Sequence, residues 1–206
     1  MKKAKTEIIP LGQNCIARTV LTRWKIKKRK IMGEKTYPFD LAVFGMPEIT
    51  KTLKTDFSEF FNNLEYNGEY WLKSPNCIYF MHDKRYKEKD KEKLIALYQK
   101  RIDNFRKALC EAENILFVQV LGEDEDVKSQ YQELKRLREN KPFKMAIIDT
   151  QNIIDKLDLE NVYVLKLPFP NEEYKNNWWK KEFYNSKVGK QFEKQIADFC
   201  LEVLKK

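Results

Sequence analysis

A chain of 206 residues, 42% apolar and 13% aromatic, holds enough material for one packed domain and is too apolar for a disordered segment. No apolar run approaches the roughly 18 to 20 residues that cross a bilayer. No apolar stretch of signal-peptide length follows the basic start at Lys2, Lys3 and Lys5, so a cytoplasmic protein without a membrane span is expected.

Forty Lys and Arg against thirty-one Asp and Glu leave a formal charge of +9, an excess that suits nucleic acid, anionic lipid or an anionic metabolite. The basic residues are widely spread, and their one dense run, 23–30 (RWKIKKRK), carries no nucleic-acid motif. Solvated helical faces account for them more plainly. Cys15, Cys77, Cys110 and Cys200 lie far apart, and His82 is the only histidine. Such scattered ligands make no zinc pattern, disulfides are not expected in a cytosolic chain, and nothing calls for a metal or a cofactor.

In chain order, the first β-type run is 7–11 (EIIPL), where Pro10 cannot donate to a ladder and marks an edge or a strand end. Gly12 permits a tight turn, and Asn14 is a good N-cap for a helix over 14–29. An irregular, aromatic segment follows at 33–46 (GEKTYPFDLAVFGM), with Gly33, Pro38 and Gly45 as breakers. A helix over 47–61 opens on Pro47, whose missing N–H costs nothing at a first helical position. The run 77–81 (CIYFM) then leads into His82 and Asp83. In the helix expected over 91–112, Ile95, Tyr98, Ile102, Phe105 and Leu109 recur at three- and four-residue steps and draw one apolar stripe. Apolar runs at 115–120, 145–148 and 162–165 and a helical pattern over 127–139 come next. The segment 168–189, which holds Trp178 and Trp179, is irregular, and Phe192, Ile196, Phe199 and Val203 end the chain on a helical stripe.

This alternation predicts a three-layer, Rossmann-like α/β fold, a mostly parallel sheet flanked by helices. With no internal repeat and no Gly, Ser or Pro-rich linker, the whole chain, 1–206, is read as a single domain.

The chemistry centres on two turns. Cys15, just past a strand end, would sit in the first turn of its helix, where unpaired N–H groups and the helix dipole favour a thiolate. Gly12, Gln13 and Asn14 precede it, and the backbone there, with a Gln13 or Asn14 side chain, would stabilise an oxyanion. Free cysteines are more often small core fillers, the reading given to Cys77, Cys110 and Cys200. A cysteine nucleophile needs a base, and His82 ends what would be the next strand on the same sheet edge. Asp40 or Asp83 would orient the imidazole, although Asp83 needs a turn to reach the ring of its neighbour. Glu123 and Asp124 are weaker candidates on that edge.

Leu11-Gly12-x-Asn14-Cys15, Pro38-Phe39-Asp40 and Phe80-x-His82-Asp83 together resemble a bacterial family described as papain-like cysteine peptidases. Arg101-Ile102-x-x-Phe105 before the run 115–118 looks similar too, so the resemblance covers about 7–165. It implies Cys15 as nucleophile, His82 as base and an aspartate as orienter. Leu41 stands where that family usually carries tryptophan.

The function expected is therefore a cysteine-dependent hydrolase, a peptidase, amidase or acyl transferase acting on a peptide or other acyl substrate through a thioester. The alternative is a non-covalent transferase or binding domain for an anionic ligand such as a sugar nucleotide or a phosphorylated glycan.

Overall fold

A computed structural model describes residues 6–12, 14–28, 33–44, 48–74, 78–121 and 126–206. The first half of the chain contains β1 (Thr6–Gly12), α1 (Ile16–Arg23), β2 (Val43–Phe44), α2 (Glu48–Lys54), β3 (Leu64–Tyr66), β4 (Trp71–Lys73), β5 (Ile78–Tyr79) and α3 (Lys91–Glu111). The second half adds β6 (Asn114–Val120), α4 (Val127–Leu137), β7 (Lys144–Asp149), β8 (Val162–Lys166), α5 (Glu172–Lys175), α6 (Lys181–Tyr184) and α7 (Lys187–Lys205). Pro47, Gly45 and Cys77, named above from the sequence, lie outside the described residues.

β1, β6, β7 and β8 form a four-stranded parallel sheet in the order β1-β6-β7-β8. Its strands read as continuous apolar runs because both faces are covered. Ile9, Leu11, Ile115, Phe117, Met145 and Ile147 face a core layer shared with α3, α4 and the aromatic residues of 37–80. Their alternates Ile8, Leu116, Val118, Val120, Ala146 and Ile148 face α1 and α7. The architecture is thus an α/β sheet flanked by helices.

β1 is an edge strand, as Pro10 suggests. The buried Lys27 ammonium donates to the Ile8 carbonyl at 2.6 Å and pairs with Glu34 at 3.1 Å, which satisfies a main-chain acceptor on the open side. Pro10 shares the parity of Ile8, so its missing N–H falls on that same open side and leaves no donor unpaired there.

The run 77–81 departs from expectation. Its described part, β5, belongs to a separate antiparallel sheet of order β2-β5-β4-β3 rather than to the parallel one. Apolar content cannot separate the two, since β5 is buried against the aromatic layer much as a central strand is. The consequence for function is direct: His82 does not end a strand of the parallel sheet.

Two helices also stop early. α1 ends because Lys25 takes a left-handed φ of 60°, and the Ile26 N–H then bonds the Leu21 carbonyl at 2.9 Å. α2 ends in the same way through Asp56 (φ 43°), with the Phe57 N–H on the Thr52 carbonyl at 3.0 Å. Arg106 clamps the Asp56 carboxylate and carbonyl, and the turn drives Phe57 and Phe60 into the core. Burying each ring contributes on the order of 1.5–3 kcal/mol, enough to offset the left-handed backbone.

Candidate functional site

Cys15 lies immediately beyond the carboxyl end of β1, at the N-cap of α1 rather than inside its first turn. Its carbonyl accepts from the Thr19 N–H at 2.9 Å, and the Asn14 Oδ1 accepts from the Ile16 N–H at 3.0 Å. Asn14 thus caps the helix start with its oxygen, which leaves its amide NH2 as the group able to donate. Gly12 keeps the turn tight: a Cβ there would lie 3.3 Å from the Asn14 carbonyl. Gln13 lies outside the described residues, as do Glu123 and Asp124.

The Cys15 thiol is half-buried. Burial pushes its pKa up, and this outweighs the lowering by a Thr19 side-chain hydrogen bond and by the Cys15 N–H. The turn expected to favour a thiolate thus carries an opposing effect, the burial of the sulfur. Desolvation favours the neutral thiol over the thiolate.

His82 sits in a 3-10 turn, Met81–Asp83, after β5. The residue is exposed, and partial burial of the ring lowers its pKa, with Asp83 opposing and Arg101 and Lys84 adding to the lowering. The imidazole is neutral at pH 7 and makes no hydrogen bond among the described residues. The groups that act on Cys15 do not include His82, nor does Cys15 act on His82.

The two aspartates are held by arginines instead of by the imidazole. The Asp83 Oδ2 accepts from the Tyr98 hydroxyl at 3.0 Å and from the Arg101 Nη1 at 3.0 Å. Burial and this carboxylate raise the Tyr98 pKa well above its ordinary value. Asp40 ends a similar 3-10 turn, Pro38–Asp40, and is fully buried. Its Oδ2 accepts from the Tyr37 N–H at 3.0 Å and lies 3.6 Å from the Arg18 Nη1, while its Oδ1 has no hydrogen-bond partner. Burial raises the Asp40 pKa despite the opposing fields of Lys27, Arg18 and Arg101.

The three sequence blocks thus meet through two arginines. Arg18, three residues after Cys15, reaches Asp40, and Arg101 acts on Asp83, His82 and Asp40 together. Neither arginine was singled out for a role by the sequence reading. Arg101 carried a signal, because it falls on the buried stripe of α3 with Leu94, Tyr98, Phe105 and Ala108. A charge on such a stripe requires a buried partner.

Among the described residues no cluster of His, Cys, Asp and Glu could hold a metal ion, and no helix is long and apolar enough to cross a membrane. No protein-family model, curated protein or solved structure matches this chain.

Proposed function

We propose that the chain is a cysteine-dependent hydrolase or acyl transferase with Cys15 as nucleophile and His82 as base. The observation that carries this reading is the partly exposed Cys15 at the carboxyl edge of a parallel sheet, the edge where α/β folds place their ligands. The raised thiol pKa assigns the proton: Sγ attacks the acyl carbon as His82 accepts the thiol proton and passes it to the leaving amine or alcohol. Water then attacks the thioester as His82 takes a proton from it, and His82 passes that proton to the departing sulfur as the acid is released. A peptide, another amide or an ester satisfies this scheme equally. The chemistry requires the 81–83 turn and the β1–α1 turn to approach each other with substrate in place.

In this reading Asp83 is a positioning residue that fixes the turn carrying His82 through Arg101 and Tyr98. We read the whole chain as one Rossmann-like, cytoplasmic domain of the family resembling papain-like cysteine peptidases. The free thiols of Cys15, Cys110 and Cys200 suit a reducing compartment.

The test is pH-dependent alkylation of Cys15 by iodoacetamide, followed by site-resolved mass spectrometry, in the wild type and in His82→Ala. Labelling whose pH midpoint moves when His82 is removed supports the pair. A midpoint indifferent to His82 sinks it.

The raised thiol pKa also favours a second reading, non-covalent binding of an anionic ligand such as a sugar nucleotide or phosphorylated glycan. Arg18 supports it, since its guanidinium makes no hydrogen bond among the described residues and its Nη1 is buried beside the start of α1. Under this reading Cys15→Ser keeps its affinity for inorganic phosphate, while Arg18→Gln loses it.

A further inference from the structure

Trp178 and Trp179, adjacent in sequence, have opposite fates. Trp178 packs into the core beside Tyr174 and Phe192, at 8% exposure, whereas Trp179 is 56% exposed, the highest value for any large apolar side chain among the described residues. Val188, at the start of α7, is 49% exposed. Between and beside them Lys180, Lys181, Lys187 and Lys190 are all exposed, and none of the four makes an ion pair among the described residues. Glu182 is the one acidic residue of the stretch 178–190. Exposed lysines without an ion pair also occur elsewhere among the described residues, Lys100 on α3 being one, so what marks this stretch is that four of them accompany an exposed tryptophan and an exposed valine.

The corner is closely packed. A Cβ on Gly189 would lie 2.1 Å from the Phe183 carbonyl oxygen and 2.9 Å from Tyr174, so α6 is packed hard against the first turn of α7. The Ser186 side chain caps that turn, accepting from the Gly189 N–H at 3.0 Å. Beside Val188 opens a cleft of about 230 Å3, lined in part by Leu167, Pro168, Pro170 and Phe192.

We propose that this corner is a docking site for an anionic membrane surface. An exposed tryptophan, an exposed valine and four exposed lysines within the stretch 179–190 combine the two forces that hold a peripheral protein on such a surface. The indole and the aliphatic side chain enter the interfacial region, and the ammonium groups meet anionic headgroups at the ends of apolar stems. The same charge would attract a nucleic acid, but a polyanion in water gains nothing from Val188 or the proline-lined cleft, and the corner offers one exposed indole rather than a row of stacking rings.

The test is co-sedimentation with phosphatidylcholine vesicles, with and without about 30% phosphatidylserine. Binding is expected only with phosphatidylserine, and it should weaken as salt rises. Lys180→Glu and Lys181→Glu should each lower the partition coefficient at least fivefold, since a lysine near such a surface is worth about 1 kcal/mol. Trp179→Ala, at an exposed position, should lower it about tenfold with unchanged circular dichroism. Lys100→Glu, exposed on α3, should do less. The proposal is overturned by absence of binding at low salt, by equal binding of Trp179→Ala, or by an equal loss in Lys100→Glu. It is likewise overturned if an oligonucleotide, but no vesicle, binds and the same corner variants abolish that binding.

Discussion

Asp40 and Asp83 occupy the same local position, the last residue of a three-residue 3-10 turn, and both are buried. Their solutions to burial differ. Asp83 receives two donors on one oxygen at 3.0 Å each, from a tyrosine and from an arginine whose side chain is itself only 5% exposed. Asp40 has one main-chain donor, an arginine at 3.6 Å, and an oxygen with no hydrogen-bond partner. The first is an ion pair that locks a turn onto α3. The second is a carboxyl whose charged form is poorly compensated, and burial accordingly raises its pKa. The same residue type thus serves as a fixed anchor in one turn and, in the other, as a carboxyl whose neutral form is favoured by burial.

The largest expected effect tests the anchor. Asp83→Ala leaves Arg101 buried without its paired carboxylate, over the Tyr98 ring at 4.3 Å from the centroid. Removing one partner of a buried pair costs about 3–5 kcal/mol, which for a chain of this length lowers Tm by roughly 10 °C. Replacing both partners, Asp83→Leu with Arg101→Met, should recover most of that loss, because no unpaired charge remains. Calorimetry of the single and double variants measures it. An Asp40→Ala loss as large as that of Asp83→Ala would break the contrast, since Arg18 keeps 11% exposure and Lys27 keeps Glu34 and the Ile8 carbonyl.

A smaller effect, with a sign, tests the second turn. Because the pKa of Asp40 is raised in the folded protein, the native state holds a proton there that the unfolded chain has already released. Stability from this group is therefore full below the ordinary carboxylate pKa and is lost as pH rises through the raised one. Asp40→Asn removes that dependence. The variant should be less stable by about 1–2 kcal/mol at low pH, where a neutral carboxyl can donate from one oxygen and accept on the other. Its deficit should shrink as pH rises above the ordinary carboxylate range. Urea denaturation from that range upward is the measurement, and a deficit that grows with pH would mean that Asp40 is held charged.

Much of the fold was legible because it obeys periodicity. β1, β6, β7 and β8 are covered on both faces and appear as apolar runs, and α3 shows its stripe directly. The small sheet was not legible, since β2 to β5 are two or three residues long and too short to show a period. Nor were the helix stops at Lys25 and Asp56, where a left-handed residue is normally glycine and here is held by tertiary contacts. At the site, Cys15, Asp40, His82 and Asp83 stood out by residue type and neighbourhood. Their geometry did not, because Arg18 looks in sequence like any other solvated charge in a chain with forty Lys and Arg, and the place of Arg101 on the α3 stripe does not say which carboxylate it meets.

The smallest expected effect separates His82 from its neighbour. The two residues share one turn, yet Asp83 is 4% exposed and pinned, while His82 is an exposed residue that makes no hydrogen bond among the described residues. His82→Ala should therefore change stability by less than about 0.5 kcal/mol, as surface substitutions away from caps and buried networks do. The folded pKa of His82 is lowered, so the cost of protonating it appears only below the ordinary histidine pKa. In the wild type this group contributes stability above its unfolded pKa, and that contribution is lost as pH falls through the lowered one. His82→Ala should flatten that slope below the ordinary histidine pKa, by an amount small beside the Asp83→Ala loss. Thermal melts of His82→Ala and Asp83→Ala measured together decide the matter. A His82→Ala loss comparable to that of Asp83→Ala would show that the imidazole is part of the arginine network, and then it would not be free to serve Cys15.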